Sequence, residues 1–184
     1  MPQYLSSFII NYFKQYFEDY ILSASINILQ DIARIPYFNK GNDPIFRSNH
    51  IANLLITCIL QVDQPNISTK YVNLYLDMHS DQGSWYESFS EEITRLLENP
   101  RLIDNIYCFH LQGNYPYAEI WRKQYVQGVL YYYKNVYTLD RHDVYNDLDN
   151  SNSADLLTGK ITKQMVRLDG PFLKKIALEL NEPD

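Results

Sequence analysis

Between Tyr71 and Gly113 the spacing of apolar residues changes period twice, and this restricts the fold more than any other feature of the chain. From Tyr71 to Met78, the residues Val72, Leu74, Leu76 and Met78 alternate with Tyr71, Asn73, Tyr75 and Asp77. Alternation puts successive side chains on opposite faces, so it predicts a strand with one apolar face. After a polar elbow, Trp85, Phe89, Ile93, Leu96 and Leu97 return at helical spacing. Ser84 with Glu87 three residues later fits a capping box, and Glu91 with Arg95 fits a solvent-side pair one turn apart. Asn99-Pro100 ends that helix, and the short aromatic run Asn105–Gly113 has the character of a second strand. Strand, helix and strand over this length predict a βαβ unit with parallel strands near 71–78 and 105–112, because a right-handed helical crossover is the usual link between parallel neighbours. The polar alternate face of the first strand fits a sheet edge or a polar cleft better than burial on both sides.

Helical spacing flanks this unit at both ends. Leu5, Phe8, Ile9, Tyr12, Phe13, Tyr16, Phe17, Tyr20 and Ile21 form a wide aromatic stripe that extends through Ile26, Ile28 and Leu29 toward Ile35, before Pro36. The breakers Gly41, Asn42, Asp43 and Pro44 mark a loop. Ile51, Leu54, Leu55, Cys58, Ile59 and Val62 form a second stripe, with His50 at its start. Pro116 suits the first turn of a further helix bearing Trp121, Tyr125, Val129, Tyr132 and Val136, although Tyr131–Leu139 is also β-prone. Residues 157–168 fit either helix or strand. Phe172, Leu173, Ile176, Ala177 and Leu180 predict a closing helix. The expected fold is α/β: a single domain over 1–184, with a small central sheet containing the βαβ unit. The acidic, Asn- and Ser-rich run Asp140–Asp155 is expected to be a mobile loop.

Composition narrows the function. The net charge of −6 argues against a nucleic-acid backbone or an anionic membrane as the main partner, since both reward clustered Lys and Arg. The 17 tyrosines combine apolar area with a hydroxyl that needs a partner, which suits half-buried boundaries and contact surfaces. No uncharged run approaches membrane-spanning length, and the first residues lack the charged start and small-residue cleavage site of a secretory signal, so a cytoplasmic location is expected. Cys58 and Cys108 lie in apolar elements outside any CxxC and are expected to be buried free thiols.

Few arrangements suggest chemistry. Asp77, His79 and Asp81 sit at the elbow, at the strand-end rim where α/β sheets bind ligands. Two carboxylates and an imidazole there suit a divalent metal, with Asp77, His79 and Asp81 as its ligands. His110, near the end of the second strand, converges on the same rim with Gln112 in the expected unit. The plainer interpretation is a polar elbow in which Asp81 or Ser84 caps the helix. An EF-hand aligned on Asp147 fails at Asn152 and Thr158, and Gly159-Lys160 lacks the rest of a phosphate loop. Two functions follow. The first is a non-catalytic, regulatory interaction protein that binds another protein, one with a basic surface, through tyrosine-rich surface. The alternative is an enzyme acting on a small polar or phosphorylated substrate, metal-assisted, with Asp77, His79, Asp81 and His110 as its catalytic candidates.

Overall fold

The computed structural model describes residues 3–38, 41–80, 88–112, 116–139 and 165–181. In chain order the elements are β1 (Gln3–Leu5), α1 (Ser6–Phe13), α2 (Asp19–Asp31), β2 (Ile45–Arg47), α3 (Ser48–Asp63), α4 (Thr69–Leu76), β3 (His79–Ser80) and α5 (Phe89–Glu98). A 3₁₀ turn (Pro100–Asn105) then leads to β4 (Ile106–Gln112), β5 (Tyr117–Val126), β6 (Val129–Thr138), β7 (Met165–Asp169) and α6 (Gly170–Asn181). The fold is mixed α/β. A small antiparallel pair, β1 with β2, accompanies a five-stranded sheet of order β3-β6-β5-β4-β7 in which every pairing is antiparallel.

The α/β class, a strand over 105–112 and helices toward both ends are as the sequence indicates. The parallel βαβ unit is not. Residues 69–76 are the helix α4, and the chain next forms strand only at His79–Ser80, which pairs antiparallel with β6. The alternation misleads because it counts Tyr75 as polar. Val72, Tyr75, Leu76 and Met78 are the buried residues here, a helical spacing, and the Tyr75 hydroxyl donates to the Gln112 carbonyl. Ser68 fixes the start: its hydroxyl accepts the Tyr71 N–H, satisfying an amide that the first turn leaves open.

Trp85, Ser84 and Glu87 lie outside the described residues. The box that opens α5 is Ser88 with Glu91, each side chain accepting the other's backbone N–H. Arg95 accordingly pairs with Glu92, not Glu91. Phe89, Ile93, Leu96 and Leu97 are buried as their spacing predicts. They join α3, α6 and the inner face of the sheet (Phe109, Leu111, Ala118, Ile120, Tyr137) in one continuous core. Phe89 meets Tyr137 edge to face at 5.3 Å. Gly170 is required at the start of α6, since a Cβ there would stand 2.4 Å from the Ile106 carbonyl oxygen. Both cysteines are buried free thiols. Of residues 157–168, those described belong to β7. No helix among the described residues is long and apolar enough to cross a membrane. The stretch 140–155 lies outside the described residues.

The largest departure is at 117–130, where the expected helix is β5 and the turn of a hairpin, while the β-prone run from Tyr131 does form strand in β6. β5 and β6 pair through ten consecutive residues each, from Tyr117↔Thr138 to Val126↔Val129, without a shift of register. Gln127 (φ 52°) and Gly128 (φ 81°) form the two-residue turn. Positive φ at both central positions is what twists a tight turn to match its strands, and Gly128 supplies one without strain.

Candidate functional site

Three places hold groups able to bind or react. The first contains part of the elbow. Asp77 ends α4, and both its carboxylate oxygens accept from Arg34 Nη2, at 2.7 and 2.6 Å; Arg34 also donates to Asn73 Oδ1. His79 begins β3 and is exposed. Asp77 and His79 line a polar cavity of about 660 Å3 together with Arg34, His50, Asn53, Ser90 and Arg95. Its floor is fixed by Ser90 Oγ donating to Asn53 Oδ1 at 2.5 Å and by Asn53 Nδ2 donating to the Arg34 carbonyl at 3.2 Å. Burial, and then the nearby Arg47 charge, hold the His50 ring below its usual pKa, and its Nδ1 accepts the Arg47 N–H. Asp81 lies outside the described residues. Among the described residues no three His, Cys, Asp or Glu side chains are grouped so as to hold a metal ion.

The second place is the sheet face bearing His110. Cross-strand pairing sets His110 opposite Glu119, and Cys108 opposite Trp121. Glu119 is buried and accepts from Lys134 Nζ (2.5 Å), Tyr117 Oη (2.6 Å) and Trp121 Nε1 (2.6 Å). Burial alone would raise its pKa; these donors, Lys134 foremost, outweigh it and bring the carboxyl down to about 2. His110 Nδ1 lies 3.5 Å from Glu119 Oε2, and its Nε2 lies 3.6 Å from Cys108 Sγ. Thiol, imidazole and carboxylate thus stand in the order of a nucleophilic relay. The thiol is 1% exposed and burial raises its pKa, whereas a working nucleophile is an accessible thiolate. These contacts orient Trp121, which is mostly buried, and Lys134, whose Nζ lies 5.4 Å from the Trp121 ring centre.

His79 and His110 are not brought together. Register carries His79 through Thr138 and Tyr117 to Gln112, three strand spacings away, or about 14 Å. The convergence of His110 with Asp77 and His79 depended on adjacent parallel strands, and the antiparallel order removes it.

The third place is the far end of the β5–β6 hairpin. β4 accompanies β5 only as far as Ile106↔Arg122. Beyond Arg122, four further pairs, Lys123↔Tyr132 to Val126↔Val129, form a two-stranded arm. Tyr125 (70%), Val129 (54%), Tyr131 (54%) and Tyr132 (51%) are among its exposed residues, with Val126, Leu130 and Tyr133 beside them. Tyr107 extends the aromatic surface: its ring meets Tyr132 at 5.2 Å, and Arg167 stacks over it at 5.0 Å. A cleft of about 570 Å3 at the arm's base is lined by Tyr107, Lys123, Arg167 and Phe172. Sequence reasoning missed the arm because five apolar residues happened to match a helical stripe. The signal present was Val126-Gln127-Gly128-Val129, a two-residue turn ending in glycine between β-branched residues. Comparison with protein-family models, curated proteins and solved structures finds no match to this chain.

Proposed function

We propose that this chain is a non-catalytic, regulatory interaction protein that binds another protein through the faces of its tyrosine-rich arm. The supporting observation is the concentration of exposed Tyr125, Tyr131, Tyr132 and Tyr133, with Val126, Val129 and Leu130, on a ribbon two strands wide. Scattered apolar residues on a surface need no explanation, but a contiguous patch marks a contact site. Tyrosine suits that role, offering large area with few rotatable bonds. A two-stranded ribbon is weakly stable alone, so its apolar residues contribute little to the core they leave. The acidic body, at net −6, favours encounter with a partner carrying a basic surface.

The test replaces Tyr125 or Tyr131 with a photo-crosslinking phenylalanine in the native host, and in parallel the body residues Leu102 or Leu178. Discrete heterologous adducts are expected from the arm positions alone, and they should disappear when Tyr132 and Tyr133 are changed to Ser. Adducts from the body alone, or from neither, would refute the assignment. The polar cavity bearing Asp77 and His79 supports a second reading, an enzyme site for a small polar substrate. Turnover lost in Ser90→Ala with folding intact would favour it.

A further inference from the structure

We infer that the edge of β6 left open by the described strands is a pairing site for a second copy of this chain, joining two arms edge to edge around a two-fold axis. The edge is distinct from the arm's faces. β6 pairs with β5 along one side; on the other, β3 reaches only Tyr137 and Thr138. From Val129 to Val136 no described strand lies beside it. Alternate residues of such an edge direct N–H and C=O groups outward, a template for another strand.

Proteins ordinarily block long edges with charge, proline or a bulge. This edge has none of them along the arm. The register with β5 is unbroken, Val129–Tyr133 contains no proline, and no residue from Gln124 to Tyr133 is charged. A neutral edge selects no charged partner and does not repel its own copy. It is also self-complementary. An antiparallel pairing centred on Tyr132 places Tyr131 opposite Tyr133 in both directions, and aromatic cross-strand pairs are favourable. Lys134 then faces Leu130, so the lysines do not meet.

The net charge of −6 on each copy does not prevent this. An antiparallel overlap centred on Tyr132 pairs Val129 with Asn135 and sets the two bodies on opposite sides of the two-fold axis. Salt at 0.1 M, with a screening length of about 10 Å, weakens the repulsion between them. A two-fold axis also closes the pairing, since β5 already occupies the other edge of each β6.

The experiment measures mass by light scattering and sedimentation from low to high micromolar concentration. The expected species is twice the 21.8 kDa chain at 0.1 M salt and above. Tyr131→Lys adds a charge to the edge strand and should weaken dimerisation about tenfold or more. Tyr125→Lys adds the same charge to β5 and should leave it nearly unchanged. Hydrogen exchange on the unmodified chain supplies a readout free of mutational misfolding: amides in Val129–Val136 should gain protection as concentration rises. A monomer at high concentration, equal loss in both variants, open-ended higher masses, or protection confined to other elements would overturn the inference. Any of these would leave heterologous crosslinks from the arm's faces as a separate result.

Discussion

Arg122→Met tests how the sheet is locked to its helices. Glu92 on α5 is 2% exposed. Its Oε1 accepts from Arg122 Nη2 on β5, while its Oε2 accepts from Arg95 Nε (3.0 Å) and Nη2 (2.5 Å). Arg122 also donates from Nε to Asn135 Oδ1 at 3.0 Å. Removing Arg122 leaves Oε1 without its donor and retains only Arg95, whose side chain is 43% exposed and therefore well solvated. Breaking a buried pair from one side costs about 3–5 kcal/mol; the surviving Arg95 contact places Arg122→Met near the low end, about 3 kcal/mol. Glu92→Met should cost less, about 1–2 kcal/mol, because Arg122 keeps Asn135 and Arg95 reaches water. The double variant buries neither charge, and matched apolar replacements of buried pairs are often close to neutral. Urea denaturation of the four proteins gives the cycle. The double variant should lose less than Arg122→Met alone. Additive losses, or a cost below about 1 kcal/mol for Arg122→Met, would show that the pair does not hold α5 to β5.

Phe89→Ala should cost about 3–5 kcal/mol, since Phe89 is fully buried and carries the edge contact with Tyr137; a loss under about 1 kcal/mol in denaturant would place it outside the core. Gly170→Ala should destabilise by about 1–3 kcal/mol, because the clash is with backbone that cannot yield cheaply; an unchanged melting temperature would contradict the close approach to Ile106. Glu119 is ionised to about pH 2 when folded against an ordinary 4.5, so its contribution is full above pH 4.5 and fades as pH falls toward 2. Glu119→Gln should flatten the stability profile in that window, and an identical profile would mean its donors do not hold the charge. Calorimetric titration with Mg2+, Mn2+ or Zn2+ is expected to show no binding that His79→Ala removes, since Arg34 occupies both Asp77 oxygens; binding lost in that variant with an unchanged melt would restore the metal site.

Sequence pattern was most informative for the helices α3 and α6, although α3 is buried on every side from Ile51 to Gln61. Ile51, Leu54, Leu55, Cys58 and Ile59 on α3, and Leu173, Ile176, Ala177 and Leu180 on α6, are buried as their spacing requires. Pattern failed where a tyrosine's role depends on tertiary context. Tyr75 is fully buried because the Gln112 carbonyl lies within reach of its hydroxyl, a partner 37 residues away that no local window contains. Tyr125 and Tyr132 are exposed because no third strand among the described residues extends as far as the arm. The same residue type therefore gave a false strand at 71–78 and a false helix from 116 up to the β-prone run at Tyr131. In the first stripe, Leu5 and Phe8 are exposed, and α1 stops at Phe13 before α2 begins at Asp19, although the spacing runs through both. The candidate site was legible only as separate pieces. His110 and Glu119 stand nine residues apart in the chain, and their juxtaposition is created by antiparallel register.

The strand order also sets a sequence of assembly in time. The β5–β6 hairpin joins residues at most 21 apart, from Tyr117 to Thr138, so it can close in microseconds at small entropic cost. β4 pairs next with its immediate successor, β5. Its other edge waits for β7, from Gln112↔Met165 to Cys108↔Asp169, across separations of 53 to 61 residues. α6 follows β7 directly and brings Leu173, Ile176 and Ala177 into the core with it. Completion of the sheet and closure of the core are therefore one late event. Until it occurs, β4 offers a bare edge to whatever strand is nearest, and in a crowded refolding mixture that strand is the β7 of a neighbouring chain. Rapid dilution should recover the native sheet, while slow refolding at high concentration should yield exchanged species.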